Sequence, residues 1–351
     1  VGEGEARIVV TAEGGGQKAV QDVRVKVRNP NPPVTKISKT IIPAGESKKL
    51  SFEPFKSAKG HEARLIFSNI PSIDHGQIFK YFKNYPYDCT EQLISKGLTL
   101  ISIKGNLSGE DQKEIQEIIP QLLGEIYSRQ RPNGGFAPWS GSADTDSWVT
   151  SMAGDLFTLA SRNGYSVSKG VLASWARFQK KAVQEYRSND SVYLEDLLQA
   201  YRLYTLALAS QSENGAMNRL KESENLSNQA TWMLSAAYSV SGKKNVAKEL
   251  IRKVRYGFMD YTEAEASFGS RTRDKAVALE ALALSEELPE AIDLAGELSK
   301  IMVPGNYLTQ EAAFTAKAMS ALEDKVNAGA LSAEITQGEN TQQIRSAKAV
   351  Y

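Results

Sequence analysis

The spacing of hydrophobic residues changes at about residue 75. Before it, β-branched residues run or alternate in short stretches, and Val23, Val25 and Val27 share one face with polar residues between them. Strands are predicted at residues 7–11, 20–27, 40–42, 49–52 and 63–68, with a glycine turn at residues 14–16. The proline-rich residues 29–34 do not suit a central strand. We therefore expect residues 1–70 to form a small antiparallel β-sandwich segment.

From there to about residue 325, apolar residues recur every three or four positions, which is the period of a helix. Trp148, Met152, Leu156 and Leu159 form one such face, and Ser108 is placed to cap a helix. About ten to twelve helices in pairs, without a strict sequence repeat, indicate an α/α toroid or a bundle over residues 71–328. The strand-like sequence LSAEIT follows at Leu331, so residues 329–351 are predicted to return to the β-domain.

Composition narrows the function classes. The 351 residues include 42 basic and 41 acidic side chains, for a net charge of +1, so nothing favours a nucleic-acid partner. No stretch is long and apolar enough to span a membrane, and no signal peptide is visible. Both termini resemble cut ends, so we expect further domains and any targeting segment to lie outside this sequence.

Cys89 is the sole cysteine, so an intrachain disulfide is impossible and the residue is a candidate reactive group. The alternative is a small buried apolar side chain. Pro86 and Asp88 favour a helix start with Asp88 as the N-cap, which places Cys89 in the first turn, where the helix dipole favours a thiolate. Gln92 is a neighbour on that turn. Attack of the thiolate on the Gln92 carboxamide would release ammonia and leave a thioester.

Such a bond survives only where water is kept away. Tyr85, Pro86 and Tyr87 are candidates for an apolar shield around the bond. An ordinary role in core packing explains each of these rings equally well. Glu91 is a candidate assistant in proton transfer, or else an ordinary acid in the first turn of a helix.

The segment Tyr85–Gln92, YPYDCTEQ, resembles the thioester segment of bacterial α2-macroglobulin-like proteins, usually written YPYGCxEQ. The likeness covers about residues 62–325. Further blocks that are similar to the family, in the same order, lie at residues 133–139 (NGGFAPW), 146–150 (DSWVT), 200–204, 215–220, 268–270 and 309–314.

The resemblance implies an α/α-toroid thioester domain beside a β-sandwich. It further implies a broad-spectrum, non-enzymatic protease inhibitor in the periplasm or cell envelope, where a lipid anchor would attach the full-length protein to a membrane. Proteases that cut a bait segment elsewhere would be tethered through lysine to Gln92, with Cys89 as the leaving thiolate. No metal or cofactor is implied.

Two departures from the family pattern bear on the chemistry. Asp88 stands where the family has glycine, and its carboxylate is expected to oppose thiolate formation. Some relatives have a histidine about a hundred residues after the cysteine that directs the thioester towards hydroxyl groups. His61 and His75 both precede Cys89 and are expected to be ordinary surface or interface residues, so amine targets are predicted.

Two alternatives stay open. One is a family member that has lost its thioester chemistry and acts as a structural or binding module. The other is a carbohydrate-active enzyme on the same toroid, for which Asp144, Asp146 and Asp155 are the candidate carboxylates. Helix capping and packing are the ordinary roles for these acids. A zinc-dependent prenyl-transfer domain is not favoured, because one cysteine and two upstream histidines do not make the usual site.

Overall fold

A computed structural model describes residues 4–27, 36, 38, 40, 42, 45–51, 65–187, 193–223, 226–254, 257–263, 266–303, 307–326 and 331–346. The chain divides into two compact units, residues 1–62 and 63–351. It is mainly helical with small antiparallel sheets, which confirms the predicted fold class. The finer domain boundaries stay predictions.

The described part of the first unit contains one β-hairpin. Strand β1 (Gly4–Gly14) pairs antiparallel with β2 (Gln17–Val27), with Ile8 opposite Val23. Gly15 and Gly16 form the turn at φ of 59° and 75°, a conformation that glycine adopts without strain. The strands predicted at residues 40–42 and 49–52 are wrong where the structure describes them, since Thr40, Ile42 and residues 49–51 lie in no strand. Residues 29–34 and His61 lie outside the described residues.

The described part of the second unit contains twelve α-helices, one short 3₁₀ helix at Lys104–Asn106 and a hairpin of strands β3 and β4. In chain order the α-helices are α1 (His75–Lys83), α2 (Thr90–Ile103), α3 (Gly109–Tyr127), α4 (Ser147–Arg162), α5 (Lys169–Glu185), α6 (Tyr193–Leu208), α7 (Asn214–Lys221), α8 (Asn228–Val240), α9 (Lys244–Lys253), α10 (Arg271–Ser285), α11 (Leu288–Ile301) and α12 (Thr309–Val326), and the hairpin is β3 (Leu331–Gln337) with β4 (Asn340–Ser346). The predicted number of helices and the strand at Leu331 are confirmed.

Side-chain caps fix several helix starts. The Ser108 hydroxyl accepts a hydrogen bond from the Asp111 backbone N–H at 3.3 Å, and Asp146 accepts one from Val149 at 2.7 Å. Ser270 does the same for α10 at 3.1 Å, through the backbone N–H of Arg273. Each bond satisfies a backbone N–H that has no partner inside its helix.

The even-numbered helices contact one another in a closed series. Helix α2 packs on α4, α4 on α6, α6 on α8, α8 on α10, α10 on α12, and α12 packs back on α2. Each odd-numbered helix contacts one or two members of this ring. Such alternation is the order expected of paired helices, and it brings the start of α2 next to the start of α12.

The middle of the ring holds a charged cluster, by which we mean Asp155, Glu280 and Lys317. Lys317 donates to Asp155 and lies 3.1 Å from Glu280, while the hydroxyls of Tyr201 and Tyr204 donate to Asp155 and Glu280 at 3.1 and 2.6 Å. All five side chains are buried. Their mutual hydrogen bonds offset the cost of removing charges from water.

His75 corrects a prediction. It was expected at a surface or interface, but it is the buried first residue of α1 within this unit. Burial lowers the pKa of its imidazole to about 4, so the ring is neutral near neutral pH.

Candidate functional site

The segment YPYDCTEQ joins α1 to α2. Helix α2 begins at Thr90 and its N-cap is Cys89, not Asp88 as predicted. The first hydrogen bond of the helix runs from the Leu93 backbone N–H to the Cys89 carbonyl at 3.0 Å, and the Asp88 carboxylate is directed at Arg129, 3.6 Å away. Cysteine is an uncommon cap because sulfur accepts hydrogen bonds weakly.

Cys89 and Gln92 form a reciprocal capping box. The Gln92 backbone N–H donates to Cys89 Sγ at 3.4 Å, and the Cys89 backbone N–H donates to Gln92 Oε1 at 3.2 Å. In an ordinary capping box a hydroxyl or carboxylate takes the place of the sulfur. Here the sulfur contacts the backbone N–H of Gln92, and the side-chain amide of Gln92 contacts the backbone N–H of Cys89.

The loop between α3 and α4 packs against the first turn of α2. Thr90 donates its hydroxyl to the Ala137 carbonyl at 2.6 Å, and Phe136 pairs with Gln130 and Asp146 in isolated β-bridges. Gly134 has φ of 97°, and a Cβ there would lie 2.2 Å from the Ser174 carbonyl oxygen. The NGGFAP sequence thus suits the close approach of this loop.

Arg129 lies under the turn, and its side chain is only 3% exposed. Its Nη1 donates to the Asp88 carbonyl at 2.5 Å and to the Thr90 hydroxyl at 3.2 Å. Nη2 donates to Glu125 at 2.9 Å and lies 3.6 Å from the Asp88 carboxylate. The guanidinium therefore binds the backbone immediately before Cys89.

Glu91 points into the ring. It accepts hydrogen bonds from the hydroxyls of Ser95 at 2.6 Å and Thr309 at 3.1 Å, and its Oε2 lies 4.0 Å from Cys89 Sγ. Burial raises the pKa of its carboxyl, with these hydroxyls acting against the rise. Within the described residues no ion pair reaches Glu91.

The three candidate shielding residues occupy different environments. Tyr85 is half-buried, its hydroxyl accepts a hydrogen bond from Gln92 Nε2 at 3.2 Å, and its ring packs against Tyr81 with centroids 5.3 Å apart. Pro86 is exposed, and Tyr87 is 65% exposed with its ring 5.5 Å from that of Tyr85. Their shielding role stays a prediction.

The electrostatics of Cys89 differ from the sequence-based expectation. Burial is the main cause that raises the pKa of the thiol to about 11, and the Glu91 carboxylate adds to it. Hydrogen bonds from backbone N–H groups and the Arg129 charge act in the opposite direction without cancelling it. Asp88, predicted to oppose the thiolate, is exposed and directed at Arg129.

The three acids proposed for a carbohydrate-active site have different structural roles and do not form one pair of facing carboxylates. Asp146 caps α4, Asp155 belongs to the charged cluster, and Asp144 is exposed. Burial raises the pKa of the Asp146 carboxyl. Trp148 is buried and packs on Tyr201 at a centroid distance of 4.7 Å, so it does not line an open cleft.

The described residues offer neither a metal site nor a membrane-spanning helix. Over the described ranges no three His, Cys, Asp or Glu residues cluster in a way that would hold a metal ion. No helix among them has the length and apolarity needed to cross a membrane.

Sequence reasoning missed Arg129 and Thr309. Arg129 precedes the NGGF loop by four residues and carries no pattern of its own, since a buried arginine looks like any other in sequence. Thr309 lies 218 positions from Glu91. The signal that could have found it is the family-like block at residues 309–314, which begins at this residue.

No protein-family model matches the chain. Among curated proteins, alpha-2-macroglobulin of Escherichia coli strain K12 is 25% identical over 249 residues, covering 65% of this chain and 15% of that protein. Alpha-2-macroglobulin of Xylella fastidiosa strain Temecula1 is 25% identical over 299 residues, covering 79% of this chain and 18% of that protein. The chain therefore spans less than a fifth of these relatives.

Solved structures with a similar fold cover almost the whole chain. The native conformation of E. coli alpha-2-macroglobulin has a TM-score of 0.68 at 20% identity, over 99% of this chain and 23% of the other. Salmonella alpha-2-macroglobulin reacted with methylamine has a TM-score of 0.69 at 22% identity, over 99% of this chain and 24% of the other. At these identities the likeness concerns the fold.

Proposed function

We propose that this chain, an α2-macroglobulin-like protein of the bacterial type, is the thioester-bearing part of a protease-trapping inhibitor. Cys89 and Gln92 form the internal thioester, and an attacking protease becomes tethered to Gln92 through a lysine amine. The reaction consumes the site once, so the protein is an inhibitor without turnover.

The observation that carries this proposal is the reciprocal capping box. The two hydrogen bonds of the box join each side chain to the backbone N–H of the other residue, which keeps Cys89 and Gln92 together in one helical turn. A nucleophile and an electrophile fixed in one helical turn react as an intramolecular pair, which removes much of the entropic barrier.

Ring closure balances as follows. The Cys89 thiol loses its proton, its sulfur bonds to the Gln92 side-chain carbonyl carbon, and the carbon–nitrogen bond breaks to release ammonia. Because the pKa of the thiol is about 11, a base must take that proton at neutral pH. Glu91 is 4.0 Å from the sulfur and serves as that base before passing the proton to the leaving nitrogen.

Capture of a target is the same exchange with a lysine amine in place of ammonia. The amine attacks the Gln92 carbonyl, an amide forms, and Cys89 leaves and recovers a proton. Two related proteins support this direction, since E. coli alpha-2-macroglobulin is activated by trypsin and the Salmonella protein reacts with methylamine. By the same likeness we propose that the full-length protein lies in the periplasm or cell envelope, attached through a lipid anchor.

Intact-protein mass spectrometry tests the proposal on the protein expressed from its complete gene. We expect a mass about 17 Da below the sequence mass, and methylamine should then add about 31 Da at Gln92. Incubation with trypsin should give a denaturant-resistant adduct. A Cys89→Ala variant should show none of these changes, and the absence of both the deficit and the label in the wild type would refute the proposal.

The second candidate is a family member whose thioester never closes. Its support is the raised pKa of Cys89 together with the exposed Asp88 carboxylate at the position that is glycine in the family pattern. An Asp88→Gly variant separates the two. If only this variant shows the mass deficit, the chain acts as a structural module, whereas a deficit in both supports covalent trapping.

A further inference from the structure

The peptide group between Asp88 and Cys89 is hydrogen-bonded at both ends. Its carbonyl oxygen accepts from Arg129 Nη1 at 2.5 Å, and its N–H donates to Gln92 Oε1 at 3.2 Å. In a trans peptide these two groups point in opposite directions, so one rigid plane connects the guanidinium with the amide that Cys89 is to attack.

Arg129 is well held for such a contact. Besides Asp88, its guanidinium binds the Thr90 hydroxyl and the Glu125 carboxylate, and its own backbone carbonyl accepts from Ala137 at 3.1 Å. A hydrogen bond from a charged donor is roughly twice as strong as a neutral one, and its effect is greater away from water.

We propose that Arg129 is a positioning residue for the thioester reaction. Its guanidinium polarises the Asp88–Cys89 peptide, and the Cys89 N–H therefore stabilises negative charge on Gln92 Oε1. The inference rests on the proposed function and names a role for a residue outside the thioester motif. Donation to the carbonyl end of a peptide strengthens donation from its N–H end, because hydrogen bonds in a chain polarise one another.

This stabilisation acts on the tetrahedral intermediate of the reaction, in which Gln92 Oε1 carries the negative charge. When sulfur or an amine adds to the Gln92 carbonyl carbon, the π-electron pair moves to Oε1, and the Cys89 N–H already faces that atom. When the leaving group departs, the pair returns. The donor is in place before the charge appears, which is the condition for effective stabilisation of an oxyanion.

Opening of the thioester by ammonia is the reverse of its formation and passes through the same intermediate, so its rate reports on this stabilisation. We would measure release of the Cys89 thiol by ammonium and by methylamine in the protein expressed from its complete gene. Arg129→Met should slow opening about tenfold, which is less than the 10²–10³ lost when an oxyanion donor itself is removed. Arg129→Lys keeps the charge and should recover part of the rate.

Arg202→Met is the matched control, because Arg202 is also a buried arginine but donates to Ser147 and Gln199, away from the turn. Its opening rate should equal that of the wild type. The sign of the change separates positioning from loosened packing. A site that has merely lost its support admits the amine more readily and opens faster, so unchanged or faster opening in Arg129→Met overturns the inference.

Hydrogen exchange at the Cys89 amide gives a second readout that does not need a thioester. Residue-resolved mass spectrometry should show exchange about tenfold faster in Arg129→Met and unchanged in Arg202→Met, since a weakened hydrogen bond protects less. If the wild type has no mass deficit, the trapping function fails, and the positioning role fails with it because Arg129 has no thioester reaction to assist, whatever happens to the exchange. If the deficit is present and exchange is unchanged, the positioning role fails alone.

Discussion

Two of the sites with buried carboxyl groups in the helical unit, the charged cluster and the start of α2, differ in what surrounds these groups. In the charged cluster, Asp155 and Glu280 share Lys317, and burial alone would lower the pKa of that lysine but the two carboxylates raise it. Burial also raises the pKa of Glu280, yet Lys317 opposes that rise at a distance of 3.1 Å.

In the first turn of α2, Glu91 contacts hydroxyls and a thiol. Both Glu91 and Cys89 have raised pKa values because burial disfavours their charged forms. In the charged cluster a buried cation faces the buried carboxyl groups. In the first turn of α2 no cation among the described residues pairs with Glu91, and both Glu91 and the half-buried thiol of Cys89 are costly to ionise. A group whose pKa is raised and that has no charged partner is a candidate for chemistry, whereas removing one member of a buried ion pair costs stability.

The largest effect should come from breaking the cluster. Lys317→Met leaves two buried carboxyl groups without their cation, and we expect the free energy of unfolding to fall by about 3–5 kcal/mol. Urea denaturation followed by circular dichroism measures the change. Lys325→Met, which removes a partly exposed pair with Glu286, should cost under about 1 kcal/mol. Equal losses in the two variants would show that the cluster contributes no more than a surface pair.

Glu91→Gln should give the opposite pattern. Without a base near the sulfur, thioester occupancy and methylamine labelling should fall about a hundredfold, while stability stays within about 1 kcal/mol because no buried cation loses its partner. Intact mass and urea denaturation report the two quantities. Asp155→Asn is the mirror control, with lower stability but normal labelling of the folded protein. Full labelling in Glu91→Gln would remove Glu91 from the mechanism.

The pH dependence of the Cys89 thiol sharpens the comparison further. After methylamine opening, alkylation by iodoacetamide should still be rising at pH 10, because the pKa is about 11 and the thiolate is the reacting form. In Glu91→Gln the carboxylate that raises this pKa is gone, so the midpoint should move to lower pH. The same protein in urea should react near the ordinary cysteine midpoint of about 8.5. A plateau by pH 8 in the folded protein would contradict the burial argument.

Tyr85→Phe should have the smallest effect. It deletes the hydroxyl that accepts from Gln92 Nε2 and keeps the ring that packs on Tyr81. One neutral hydrogen bond is worth about 1 kcal/mol, so we expect thioester occupancy or opening rate to change by about fivefold at most. Tyr87→Phe is the control, since that ring is mostly exposed. A loss as large as that in Glu91→Gln would make the Tyr85 hydroxyl part of the proton transfer.

Much of this site follows from local sequence. Cys89 and Gln92 meet because residues three apart share a helical turn, and the family-like flanks make that turn recognisable from the sequence. The helix periodicity likewise gave the number and order of the helices. The N-cap was predicted one residue too early because the Asp88 carboxylate is directed at Arg129, a contact that the sequence around Asp88 does not encode.

The tertiary structure alone decided how the site is charged. Sequence places Glu91 in a helix's first turn, where an acid is ordinarily solvated, but the meeting of α2 with α12 buries it against Thr309. Sequence also places Asp88 beside the thiol, whereas the fold turns it outward and brings Arg129 beneath the backbone instead. Periodicity and spacing are local properties, so one chain determines them. Burial and charge balance depend on which distant segments exclude water from the same atoms, and those segments are brought together only by packing.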